Sequence, residues 1–443
     1  MITEAANATS PFQQAFQLQQ TQSGAAAWVS RLRENAMARF EELGFPTTKE
    51  EEWKYTNVAP LIKQGFTPIS SHSASADPTE LSSFLAPECQ NSQLVFVNGK
   101  LRADLSSLSS LPADVVALDL TATLTDSRYS EIAREHLGRH ADYVANGFTA
   151  LNTALIGAGA FIYIPKNTTV AAPLHLLFVA DAADNPVVSP RILVVAEENS
   201  SATLIESYAG TDKSRYFTNA VTEVVLKDGA RLEHYKVQRE SSQALHIATT
   251  AADLGANASY DTTTITFGAQ LSRHDVHVTM DHEGAECWVD GLYLVTATQH
   301  TDTHSVIDHR KPHCTSHQLY KGILDGKSRA VFNGKIFVRH DAQKTDAMQT
   351  NKNLLLSNDA RVDTKPQLEI LADDVKCAHG AAVGQIEEDE LFYLRTRGIH
   401  PDLARNLLTY GFAEEVIAKI KIDSIREQLD SAVLNRLNAR LEA

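Results

Sequence analysis

The chain has no apolar run near the roughly 20 residues that a membrane-spanning helix needs. Its first Lys or Arg is Arg31, so the basic-then-apolar layout of a signal peptide and the Arg-rich, acid-poor layout of a transit peptide are both missing. Cysteine is scarce. Four residues (Cys89, Cys287, Cys314 and Cys377) in a chain of 443 are too few for a disulfide framework, and the expected compartment is a reducing cytoplasm. Positive charge is in deficit as well: 40 basic against 55 acidic residues give a net charge of −15, which excludes a broad nucleic-acid surface and attraction to anionic membranes. Proteins are the expected partners.

Several catalytic signatures are also lacking. Gly326-Lys327-Ser328 has the end of a phosphate-binding loop, but Lys321 stands where the earlier glycine is required, and a strand-like run follows instead of a helix. Gly157-Ala158-Gly159 precedes a strand-like run, so the dinucleotide fingerprint fails for the same reason. There is no nucleophile elbow, no His-Glu-x-x-His and no convincing acid-base pair. The expectation is a protein that is not an enzyme.

What is present is enough apolar sequence, 43%, for a sizeable core. Residues 1 to about 60 read as helical, with Trp28, Val29, Leu32, Ala36, Phe40 and Leu43 at three- and four-residue spacing before Gly44 and Pro46. Ser70 to Pro78 reads as a loop. Leu94–Val97 and Val115–Leu118 read as strands, and about Tyr129 to Leu155 as helical. From Phe161 the pattern becomes β-branched and aromatic for some 220 residues. Strands are expected at Phe161–Ile164, Leu174–Val179, Ile192–Val195, Val221–Leu226, Thr262–Phe267, Trp288–Val295, Val331–Val338 and Leu354–Leu356. Small-residue turns at Ala202, Ala230, Ala258 and Ala285 recur after 28, 28 and 27 residues, then lose the period before Ala330. A period of that length built from short strands predicts a β-helix in preference to a β-sandwich. The expected organisation is therefore mainly β: an N-terminal, mostly helical domain over 1–155, a β-helix core over 156–386 and a C-terminal helical domain over 387–443.

Two groups of residues carry candidate chemistry. Cys377 and His379 lie two apart, so in an extended segment they project from one face, and a thiol beside an imidazole suits iron, zinc or copper(I). A buried Cys and a hydrogen-bonded His in a turn is the structural alternative. Asp373 and Asp374, just ahead, read as turn formers before iron ligands. The second group, His300, His304, His309, His313, Cys314 and His317, is the densest set of metal-type side chains, though not at zinc-finger spacing. The C-terminal stretch carries Leu403, Leu407, Leu408, Phe412 and Val416 at helical spacing, a face that shields the solenoid or meets a partner.

The runs KPQLEILADDVKCAHGAAVGQIEEDELFYLRTRG, FNGKIFVRHDAQKTDAMQTNKNLLLS, EEWKYTNVAPL and FTALNTALIGAGAFIYIPKN resemble the SufB/SufD family of iron-sulfur cluster assembly proteins, on its SufD-type side, across the whole chain. The SufB-type paralogue carries a Cys before its SLL-like segment and a Glu after the His. Here Asn351-Lys352-Asn353 precedes Leu354 and Gly380 follows His379, so the residues of the sulfur-accepting subunit are missing. The resemblance implies a right-handed β-helix that pairs with SufB through its last coils and docks a SufC-type ABC ATPase on its C-terminal helices. It also implies that His379, with Cys377 beside it, helps hold a nascent iron-sulfur cluster or iron shared with SufB. ATP would enter only through SufC. A homodimer through the edge that SufB would cover is expected when the partner is absent. Two alternatives stand beside this reading: a secreted-type β-helix enzyme acting on polysaccharide, and a metal-storage protein using His300 to His317.

Overall fold

The structure, a computed structural model, describes residues 11–20, 26–68, 81–126, 128–180, 185–210 and 214–442. The predicted loop Ser70 to Pro78 lies outside the described residues. The chain is mainly β, with a β-solenoid of about eight turns in the middle and helices at both ends.

Successive strands alternate between two sheets, and each pairs in parallel with the strand one coil away. The first sheet runs from Ala158–Ile164 through Pro190–Ala196, Phe217–Leu226, Leu245–Leu254, Leu271–Met280, His300–His309 and Arg329–Val338 to Arg361–Ile370. The second runs from Leu174–Ala180 through Ser201–Gly210, Arg231–Arg239, Ser259–Thr266, Glu286–Val295, Thr315–Leu324 and Asp346–Leu355 to Lys376–Gly384. One coil takes between 26 residues (Leu245 to Leu271) and 32 (Arg329 to Arg361).

The register corrects the repeat as read from the alanines. The buried turn position preceding the second-sheet strands from Ser201–Gly210 to Asp346–Leu355 is filled in order by Ser200, Ala230, Ala258, Ala285, Cys314 and Thr345. Ala202 is two residues past that position because its coil is 30 residues long, from Ser201 to Arg231. Ala330 belongs to the other sheet, so the period is not lost after Ala285; it passes to a thiol and a hydroxyl.

The N-terminal region is less purely helical than its periodicity suggests. Helices at residues 11–20 and Ala27–Leu43 agree with it, and Gly44 ends the second at φ +64°, its N–H bonded to the Phe40 carbonyl. Tyr129 to Leu155 is not one helix but two, Ser130–His136 and Gly147–Ala154. Between them, the backbone N–H groups of Gly138, His140 and Ala141 all donate to the buried carboxylate of Glu223, which also pairs with Arg191 at 2.5 Å. The strands Gln93–Val97 and Val116–Asp119 extend the solenoid sheets, the latter antiparallel to Ala158–Ile164. Asn98 and Gly99, at φ 51° and 77°, form the tight hairpin from Gln93–Val97 to Lys100–Leu101.

Each outer sheet face is covered by one helical module. Phe12, Phe40, Phe45, Trp53 and Phe148 pack on Phe217, Leu245 and Leu271 of the first sheet. Val416, Ile420, Ile425 and Leu429 pack on Tyr235, Ile265, Leu292 and Ile323 of the second. The C-terminal module comprises helices Glu388–Thr396, Pro401–Ile417 and Asp423–Glu442.

Candidate functional site at the open coil

The last coil consists of Arg361–Ile370 and Lys376–Gly384, and these strands stand at the ends of the two sheets. Among the described residues no further strand pairs with either, so one edge of each offers its backbone N–H and C=O groups. Apolar side chains gather around this end: Met348, Ile370, Leu371 and Val383 are all exposed, Leu371 by 61%.

Cys377 and His379 both belong to the inward-facing set of Lys376–Gly384, as the two-residue spacing requires. Cys377 is the ladder partner of buried Ala347 and packs against the edge of the solenoid core, whereas His379 is exposed above its partner Gln349. Burial first, then the carboxylate of Asp346, pushes the Cys377 thiol above its ordinary pKa, so it is protonated at neutral pH and must lose that proton to ligate a metal. Asp373 and Asp374 lie in the exposed turn before the strand, where Asp374 pairs with Lys344 and accepts that residue's backbone N–H at 2.6 Å. They act as turn residues there and are not on the face shared by Cys377 and His379.

Asn351 and Asn353 also face inward, joined at 2.6 Å, with Asn351 accepting from Thr364 and Asn353 from Tyr293. Gly380 faces outward with open space where a Cβ would stand, so packing within this chain does not demand glycine there.

The histidine-rich stretch is dispersed. His300 and His304 project from the outer face of the first sheet, His309 turns inward onto Ser316 at 2.8 Å, His313 sits in a turn at φ 60°, and His317 stacks on Trp288 on the second sheet. Among the described residues no three His, Cys, Asp or Glu side chains are grouped to hold a metal ion. The stretch therefore offers no collective site of the kind a storage protein needs.

His304 belongs instead to a clamp that sequence reasoning did not find. Asp302 accepts from Thr56 at 2.6 Å, pairs with Arg273 at 2.9 Å and with His304 at 3.0 Å. The other ring nitrogen of His304 meets Glu52 at 3.1 Å, and Arg273 also donates to the Glu52 carbonyl at 2.6 Å. Glu52, Arg273 and His304 line a groove of about 750 Å³ between residues 42–53 and 140–149 and the first sheet. On the last coil Lys365 donates to the neighbouring Glu51 at 2.7 Å. Two stretches 314 residues apart, EEWKYTNVAPL and KPQLEIL, thus meet beside the open coil.

The C-terminal face divides in two. Val416 is fully buried against the second sheet, so it belongs to packing within the chain, and Leu408 and Phe412 are half-buried. Leu403 and Leu407 are exposed, as are Phe392 and Tyr393 on the preceding helix.

Residues 178–412 match the family model described as SUF system FeS cluster assembly, SufBD core domain, and residues 7–176 match the SufBD protein N-terminal region. The chain belongs to the SufBD family. It is 38% identical over 410 residues to an iron-sulfur cluster assembly SufBD family protein of Synechocystis, covering 90% of this chain and 89% of that protein. It is 32% identical to the iron-sulfur cluster assembly protein SufD of Escherichia coli over 90% of both chains. The SufD of Bacillus subtilis is 30% identical over 92% of this chain and 93% of its own. SufBD membership and the SufD relatives identify an iron-sulfur cluster assembly protein of the SufD family. The polysaccharide reading is set aside on this ground. No helix among the described residues is long and apolar enough to cross a membrane.

Proposed function

We propose that this SufD-family chain is a non-catalytic scaffold subunit of a cytoplasmic complex that assembles iron-sulfur clusters. It pairs with a SufB-type paralogue through the unpaired edges of Arg361–Ile370 and Lys376–Gly384. His379, with Cys377 beside it, lends ligands to iron and to a nascent cluster at that interface. Cluster and iron are cargo, and a single imidazole plus a thiol that must first be deprotonated retains them less firmly than four thiolates would. Phe392, Tyr393, Leu403 and Leu407 form the surface for a SufC-type ATPase, which hydrolyses ATP. Without SufB, the same edges pair two copies of this chain.

The observation that carries this reading is the coincidence of an uncovered coil with the same-face pair Cys377 and His379. The test is iron and acid-labile sulfide content after anaerobic co-expression with SufB- and SufC-like partners, wild type against His379→Ala. An assembled complex that loses its cluster in the mutant supports the reading. Equal loading in both would show that His379 has only a structural role.

A further inference from the structure

Beneath the open coil runs a directional chain of side-chain amides. Gln318 Nε2 donates to Ser305 Oγ at 2.8 Å, and Gln349 Nε2 donates to Gln318 Oε1 at 2.8 Å. Both amide N–H groups used in this row point into the solenoid. What remains at the top is Gln349 Oε1, a buried acceptor with no partner, on a side chain only 1% exposed. Gly334 makes room for it: a Cβ there would stand 2.4 Å from Gln349 Nε2. The next rung of the ladder above Gln349 is His379, about 4.8 Å away across the sheet. The His379 ring makes no hydrogen bond among the described residues. A buried acceptor without a donor and an imidazole without an acceptor are thus ladder partners facing the same lumen.

We infer that Gln349 is a positioning residue: its side-chain carbonyl accepts the N–H of the His379 imidazole, fixes one tautomer and aims the other ring nitrogen out of the open coil. A neutral imidazole carries one N–H and one lone pair, so bonding the first decides which nitrogen is the ligand. A neutral amide orients the ring without adding charge, whereas a carboxylate in its place would strengthen metal retention. This rests on the reading of His379 as a ligand for cargo iron.

The experiment uses the full chain with ring-¹⁵N histidine and long-range proton–nitrogen correlation at about pH 8, where an ordinary imidazole is neutral. The His379 signal is assigned by its loss in His379→Gln. Wild type is expected to show one dominant tautomer. Gln349→Met should move the ring toward the mixture of free histidine, Gln349→Glu should restore a single tautomer, and Gly334→Ala, which displaces the amide while keeping Gln349, should behave like Gln349→Met. In the co-expressed complex, ferrous ion added anaerobically should bind about ten- to a hundredfold more weakly in Gln349→Met. If Gln349→Met misfolds by circular dichroism, Gly334→Ala decides. An unchanged tautomer in a folded Gln349→Met or Gly334→Ala overturns the inference. Full cluster loading in His379→Ala would sink the ligand reading instead, and the tautomer of the isolated chain would still decide the Gln349 bond.

Discussion

The guanidinium carbon of Arg273 stands 3.8 Å from the centre of the Trp53 ring, while the same side chain pairs with Asp275 and Asp302 at 2.9 Å each. One buried cation thus holds the N-terminal motif by its aromatic face and the solenoid by two carboxylates. Arg273→Met keeps the stem that packs on Trp53 but strands both acids. It is expected to cost about 3–5 kcal/mol in urea unfolding. Trp53→Ala should fall in the same range, about 3–5 kcal/mol, through lost burial. The exposed Glu51→Gln should leave the midpoint where it is. An Arg273→Met midpoint equal to wild type would refute the clamp.

The stability of the clamp should depend on pH. Burial alone would lower the His304 pKa, but Asp302 and Glu52 outweigh it and push the imidazole up to about 9. A pKa raised on folding gives stability that is complete below the unfolded value of about 6.5 and is lost as pH climbs through 9. Stability should drop by on the order of 3 kcal/mol across that window in wild type. His304→Gln should flatten this part of the curve. Parallel pH profiles for the two proteins would rule out the assignment.

Asp261 works in the opposite sense. Burial first, then Asp290 and Glu233, raise its carboxyl to about 6, against partial relief from Lys421 and Lys419. An acid whose pKa rises on folding favours the folded state when protonated, so this contribution is lost as pH rises from about 4 to about 6. Asp261→Asn should therefore stabilise the protein by about 1–2 kcal/mol at neutral pH. It should change little at pH near 4. Thermal melts at the two pH values decide it, and equal shifts at both would be the wrong outcome.

On the C-terminal helices, exposure separates binding from folding. Leu403→Asp combined with Leu407→Asp should leave the melting temperature of the isolated chain unchanged and abolish capture of the SufC-type ATPase in pull-downs. Val416→Asp places a charge against the second sheet and should destabilise the chain by about 3 kcal/mol or more. Retained ATPase capture by the double variant would move the docking surface elsewhere.

About half of the solenoid strands were legible in the sequence, and the division has a physical cause. Phe161–Ile164 and Ile192–Val195 are apolar on both faces and Leu174–Val179 is so except at His175, and they stand out. LHIATTAADL, LSRHDVHVTM and HTDTHSVIDH do not, because several lumen positions in them are polar and hydrogen-bonded inside the solenoid. Thr250 bonds His274 at 2.9 Å, and Ser305 takes the Gln318 amide. The hydrophobic alternation that marks a strand is erased wherever a hydrogen bond substitutes for apolar contact.

The sequence by itself settled what depends on neighbours along the chain. Cys377 and His379 share a face, the turns need small side chains, and the C-terminal helices are amphipathic. Only the tertiary structure decided that the coil bearing Cys377 and His379 is the uncovered one, that Glu52 reaches His304, and that Gln349 keeps a spare acceptor below His379. In a solenoid each backbone bond joins residues about 30 positions apart, so local periodicity describes a coil but not whether another coil covers it. Exposure of the final edge is a property of the stack, and it is what turns an ordinary same-face pair into a candidate ligand site.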